Sequence, residues 1–136
     1  MKNLALAVGL LVGTAMPGFA QTSHMFLFQF KLAPIGAKAV VDNPQDRTAT
    51  NRKLFESLGG KLLGYYVYPP GEYDGFTLAE LPDESVARAS ALMAYSSGNF
   101  EKLTVTPLFT AEDWKGVMEK ARQMRTGVYT PPTETK

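Results

Sequence analysis

Two carboxylates flank a phenol in Gly71-Glu72-Tyr73-Asp74-Gly75. In a dry site two acids this close are driven apart in pKa, so one keeps a proton while the other takes one, as general acid–base chemistry requires. Glu72, Tyr73 and Asp74 are therefore the catalytic candidates of the chain. A second reading of the same residues is the stronger one. Asp and Gly meet the backbone demands of a hairpin turn, an Asp side chain bonds nearby N–H groups, and Tyr73 can cover the adjacent sheet edge.

Other side chains suit binding rather than turnover. Arg47, Asn51 and Arg52 fall on a first predicted helix and Arg88 on a second, where forked donors could hold a carboxylate ligand, although such residues also make an ordinary solvated face. Tyr65, Tyr66 and Tyr68 recur along a predicted strand, with Tyr95 further on, and could line an apolar cleft or simply form core and interface. The ligand-binding candidates are Arg47, Tyr65, Tyr66 and Tyr68. His24 is the only histidine, and the chain has no cysteine. Lacking clustered ligands, the sequence predicts no metal site, no haem and no other cofactor. The serines sit in no nucleophile-elbow context, which argues against a hydrolytic triad.

The N-terminus carries an address. Lys2 precedes an apolar run from Leu4 to Met16, and Pro17-Gly18-Phe19-Ala20 follows with small residues three and one before Gln21. This is the pattern of a Sec-type signal peptide, residues 1–20, cleaved after Ala20, and it predicts a periplasmic or secreted protein. The run is short of the roughly 20 apolar residues that span a bilayer, so no membrane partner is expected after cleavage. The remaining chain suffices for one domain, residues 21–127, and a Thr-, Pro- and Lys-rich tail, residues 128–136, is expected to be disordered. Without disulfides, packing and subunit contacts must hold that domain together. Its 14 basic side chains, one of them Lys2 in the leader, face 13 acidic ones, a balance that points away from nucleic acid.

The candidates must be positioned by a regular frame. Phe26, Phe28, Phe30 and Leu32 alternate with Met25, Leu27, Gln29 and Lys31 in a first strand. After a loop, Asn43-Pro44 reads as the cap of a helix reaching Leu58, with Thr50, Leu54, Phe55 and Leu58 inward and Gly59 ending it. Lys61 to Tyr68 forms a second strand, with Leu63, Tyr65 and Val67 set against Leu62, Tyr66 and Tyr68, and Pro69-Pro70 stops it. Phe76 to Leu81 returns antiparallel as a third. Pro82-Asp83 opens a helix with Val86, Ala89 and Met93 inward, closed by Gly98-Asn99. Phe100 to Phe109 is a fourth strand, with the late Pro107 marking either an edge or a strand end. Thr110 and Asp113 then make a capping box, Phe109 and Trp114 a hydrophobic staple, and Trp114, Val117, Ala121 and Met124 the inner stripe of a last helix ending at Gly127.

The order β-α-β-β-α-β plus a C-terminal helix is the ferredoxin-like α+β arrangement, with a four-stranded antiparallel sheet and both main helices on one face. The other face carries either Tyr66 and Tyr68 or Tyr65 and Val67, depending on register. Left wet, it would exceed the apolar patch usual for a monomer, so a homodimer or higher homo-oligomer packed sheet on sheet is expected.

Asn43-Pro44 with Arg47, Leu58-Gly59-Gly60-Lys61, Tyr65-Tyr66, Gly71-Glu72-Tyr73-Asp74, Glu80 with Pro82-Asp83, Gly98-Asn99 and Phe109-Thr110 occur in one order. Together they resemble the GYD-domain family, over about Met25 to Trp114. The resemblance implies a ferredoxin-like domain related to the dimeric α+β barrel proteins, an arginine at position 47, and no established common activity. The leader, Tyr68-Pro69-Pro70 and Leu108 depart from the family pattern. Two functions follow as expectations: a homodimeric module that binds a small ligand or partner, or a cofactor-independent isomerase or monooxygenase acting on a small aromatic or lactone substrate.

Overall fold

The computed structural model describes residues 23–68 and 70–127. The expected leader at 1–20, the expected tail at 128–136 and Pro69 lie outside the described residues. The elements are β1 (His24–Leu32), α1 (Pro34–Asp42), α2 (Thr48–Ser57), β2 (Lys61–Val67), β3 (Gly75–Leu81), α3 (Glu84–Tyr95), β4 (Phe100–Leu108) and α4 (Ala111–Gly127). The strands form one sheet in the order β2-β3-β1-β4, every pairing antiparallel, which is the ferredoxin-like α+β arrangement. Pro107 does lie on an edge strand.

Alternation in β1 decides where the core sits. Phe26, Phe28 and Phe30 are buried under the helices, opposite Ala79, Thr77 and Gly75 of β3 and Pro107, Val105 and Leu103 of β4. Phe55 from α2 meets Phe28 edge to face at 5.5 Å, and Ala87 from α3 closes the cluster. Each such Phe or Leu taken fully out of water contributes about 1.5–3 kcal/mol.

The reverse face of the sheet has no helix packed extensively on it among the described residues. Register assigns it Met25, Leu27, Gln29 and Lys31 of β1, Phe76, Leu78 and Glu80 of β3, Lys61 and Tyr66 of β2, and Lys102, Thr104, Thr106 and Leu108 of β4. The tyrosine alternative is thereby resolved. Tyr66 pairs with Phe76 on the bare face, while Tyr65 pairs with Thr77 on the helix face.

Several sequence expectations are corrected. Residues after β1 are not simply a loop: Pro34 starts α1, and Gly36 lies so close to Asn99 that an added Cβ would stand 2.2 Å from its carbonyl oxygen. Asn43 therefore ends α1 instead of capping the next helix, and α2 begins at Thr48, whose N–H donates to Asp46 Oδ1 at 2.8 Å. In α2 Phe55 is buried and Leu54 and Leu58 half-buried, but Thr50 is exposed. β2 does not alternate strictly, because a bulge between Leu62 and Gly64 puts Leu62 on the same side as Tyr65. In α3 the residues against the sheet are Ala87 and Ser90, with Val86 half-buried; Ala89 and Met93 face solvent. The Asp83 cap, whose carboxylate accepts the Val86 N–H at 2.9 Å, sets that phase.

The largest correction concerns α4. Its start is as expected: Thr110 Oγ1 accepts the Asp113 N–H at 3.1 Å, the Asp113 carboxylate accepts the Thr110 N–H at 3.2 Å, and Phe109 lies 6.0 Å from Trp114. Yet Trp114 and Met124 are exposed at 50% and 66%, Ala121 is exposed, and only Val117 of the expected inner stripe is half-buried. No other element packs extensively against this helix among the described residues.

Candidate functional site

The central turn is tied to β1 and to the end of β2. The Asp74 N–H donates to the Phe30 carbonyl at 2.8 Å, its carbonyl accepts the Tyr68 N–H at 3.0 Å, and its Oδ2 accepts the Leu32 N–H at 2.8 Å. The last contact has a local cause. A register shift between Lys31 and Leu32 takes Leu32 out of regular pairing with β4, and the Asp74 carboxylate supplies the acceptor its backbone needs. Oδ1 of Asp74 is buried without a hydrogen-bond partner among the described residues.

Gly75 fits the same corner for a steric reason. A Cβ there would stand 2.5 Å from both Phe30 Cζ and the Tyr66 carbonyl oxygen. Gly71, at the other end of the turn, offers its carbonyl to the Lys31 ammonium.

Glu72 and Tyr73 face outward toward β4. The Lys102 ammonium lies 4.4 Å from the centre of the Tyr73 ring and 3.3 Å from Glu72 Oε1. Its hydrogen bond to Tyr73, and then that to Glu72, hold Lys102 above the ordinary lysine range. The ion pair is exposed, and pairs of that kind contribute about 0–1 kcal/mol. Lys31 and Lys102, directly opposite each other on β1 and β4, were missed as partners of the turn. Their positions depend on long-range register, and the only signal in the sequence is that both lie at the ends of alternating strands.

The four ligand-binding candidates divide between the two faces. Tyr66 and Tyr68 lie 5.1 and 6.4 Å from Phe76, ring centre to ring centre, and form an aromatic cluster on the bare face with Tyr66 exposed at 59%. Tyr65 instead stacks on Phe30 at 6.0 Å with 14° between the planes. Burial pushes the Tyr65 phenol up from its ordinary range; the Arg47 charge opposes this and Asp46 adds to it. The Arg47 charge thus acts on Tyr65, on the helix face of the sheet. It lies just ahead of α2 and lines a small cleft of about 180 Å³ with Ala39, Val40, Asn43 and Gln45.

A wider cleft of about 590 Å³ runs between α3 and β4, lined by Arg88, Ala91, Leu92 and Tyr95 from the helix and by Leu103 and Val105 from the strand. Glu72, Tyr73 and Asp74 line neither cleft. No group of three or more His, Cys, Asp or Glu side chains suited to a metal ion occurs among the described residues.

A family model described as GYD domain matches residues 26–118. Among solved structures, the chain is similar to the crystal structure of NE2512, a protein of unknown function from Nitrosomonas europaea. The two are 17% identical with a TM-score of 0.37, over 68% of this chain and 95% of that one. No curated protein matches.

Proposed function

The chain belongs to the GYD-domain family, and from that premise we propose that it is an exported homodimeric module that holds a small apolar or aromatic ligand beside its paired sheets. The observation that carries this reading is the bare sheet face, where Leu27 and Leu78 are direct cross-strand neighbours and Tyr66, Tyr68 and Phe76 cluster beside them. A contiguous patch of that kind is characteristic of an interaction surface. A second copy would cover the centre and leave the tyrosines at the rim as a flat, rigid contact for an aromatic ring. Export rests on the apolar leader from Leu4 to Met16.

The turn carboxylates fit the module. Asp74 is engaged in holding the backbone of β1 and Glu72 is paired on the surface with Lys102. Native mass spectrometry of the mature chain at micromolar concentration is expected to show a dimer, and titration with a small aromatic compound such as phenol is expected to show binding that Tyr66→Ala weakens. A strict monomer removes the reading.

One observation favours a second reading, a cofactor-independent isomerase or monooxygenase. Asp74 Oδ1 is buried without a partner, as a general base awaiting a substrate proton would be. Asp74→Asn would abolish turnover of a substrate found by screening aromatic and lactone compounds, and unchanged turnover would dismiss Asp74 as the base.

A further inference from the structure

One end of the bare sheet face is basic and polar, unlike its apolar centre. Lys31 and Lys102 stand directly opposite each other on β1 and β4, and the next pair along that face is Gln29 and Thr104. Like charges set across from one another destabilise a sheet unless anions offset them. Glu72 offsets one, pairing with Lys102 at 3.3 Å. Lys31 has no such partner. Its ammonium donates to the neutral Gly71 carbonyl, which cancels no charge, and no carboxylate pairs with it among the described residues. Asp74, the nearby acid of the turn, is engaged through Oδ2 with the Leu32 N–H. Glu80, the acid of the face itself, stands opposite Lys61 at the far end of the sheet.

The aromatic cluster lies beside this unmatched charge. Gln29 is the direct cross-strand neighbour of Phe76, which makes Lys31 the diagonal neighbour of the same ring. Adjacent strands are about 4.8 Å apart, so a ring laid on Phe76 and Tyr66 brings a carboxylate attached to it within reach of a lysine rooted on β1. Gln29, half-buried between Lys31 and the apolar centre, offers an amide N–H to the same group. Across from it, Thr104 Oγ1 is buried without a hydrogen-bond partner among the described residues. The polarity at this end is thus not consumed by the chain itself.

A second copy that excludes water from the face sharpens the requirement. An ammonium removed from water is costly unless it is paired and hydrogen-bonded. A neutral ring on Phe76 would leave Lys31 unmatched, whereas an anionic one meets it.

We propose that the ligand of this face is a small aromatic carboxylate, its ring on Phe76 and Tyr66 and its carboxylate held by Lys31 and Gln29. The inference rests on the aromatic-ligand module proposed above and specifies the charge of what it holds.

Benzoate and its neutral counterpart benzamide test the charge. Calorimetric titration of the mature chain is expected to give a Kd severalfold lower for benzoate. Lys31→Met keeps an unbranched apolar stem and removes the charge, so benzoate should weaken to the benzamide value. Benzamide should bind this variant as it binds the parent, which reports that the face is intact. Lys53→Met, exposed on α2 on the opposite side of the sheet, should keep the preference for benzoate. Parent chain that binds benzoate no tighter than benzamide overturns the inference and leaves an aromatic-binding module standing. A preference that survives Lys31→Met, or that Lys53→Met removes equally, overturns it in the same way. If neither compound binds the parent, both readings fall.

Discussion

The Asp74 carboxylate accepts the Leu32 backbone N–H at 2.8 Å, across the end of β1 where pairing with β4 slips by one residue. The acid at the centre of the family turn thus closes a gap in the sheet. A part-buried N–H at a bulge must find an acceptor, and a carboxylate held by its own turn is a strong one. Asp74→Ala leaves that donor unsatisfied and is expected to lower stability by about 1.5–3 kcal/mol. Asp74→Asn keeps an oxygen acceptor at the same point and should lose less. Urea unfolding of both variants separates the two, and equal loss would show that charge matters more than the hydrogen bond.

Two glycines should respond in opposite directions. Gly75→Ala drives a methyl to 2.5 Å from the Phe30 ring and the Tyr66 carbonyl, which forces backbone or core to shift and costs about 1–3 kcal/mol. Gly116→Ala in α4 meets nothing within 4 Å and removes a flexible residue from a helix interior. It is expected to add about 0.5–1 kcal/mol to the stability of α4. Thermal melts followed by far-UV circular dichroism read both.

Much of this frame was legible because its causes are local. The period of two in Phe26, Phe28 and Phe30 names the buried side of β1 without knowledge of its neighbours. Asp83, Thr110 and Asp113 announce their helix starts by side-chain chemistry within three residues. Gly59 and Gly98 have φ of 75° and 76°, the left-handed conformation that ends a helix. What escaped depends on partners far along the chain. α1 is seated by contact with Asn99, the β2 bulge is defined by pairing with β3, and the Lys102–Tyr73 contact exists only once β1 has set the register of β4. The candidate site was legible to the same extent: the turn was found, while the division of Tyr65 from Tyr66 and Tyr68 needed the bulge to be seen. The α4 stripe was correctly read as apolar, but the surface that would cover it is not supplied by the same chain's sheet.

Acid should loosen the start of α4 in a predictable window. Hydrogen bonds from the Thr110 hydroxyl, and then from its N–H, hold the Asp113 carboxyl below the ordinary aspartate range. A carboxyl depressed in the folded state stabilises above its unfolded pKa of about 3.9, and that stabilisation disappears as pH falls through the lower folded value. Asp113→Asn lacks this contribution at every pH. The difference in melting temperature between the parent and Asp113→Asn should be present at neutral pH and close below about pH 4. A gap that persists to lower pH would mean that the amide fails for some reason other than charge.

The bare sheet face gives the most direct test of self-association. Leu78 lies at its centre, directly opposite Leu27 on β1 and Gly64 on β2, and is only half-buried in one chain. Leu78→Glu therefore places a carboxylate where a single chain can still hydrate it, whereas in a sheet-on-sheet dimer two such charges would be buried close to the twofold axis. Desolvating even one unpaired carboxylate costs several kcal/mol, and each 1.4 kcal/mol is a tenfold change in dissociation constant. Sedimentation velocity is expected to show dissociation by at least about two orders of magnitude in concentration while the far-UV spectrum keeps its folded shape. Lys53→Glu, exposed on α2 on the opposite side of the sheet, should leave the dimer constant nearly unchanged. If Leu78→Glu sediments as the parent does, the copies do not meet through this face and the ligand contact assigned to Tyr66 and Tyr68 goes with it.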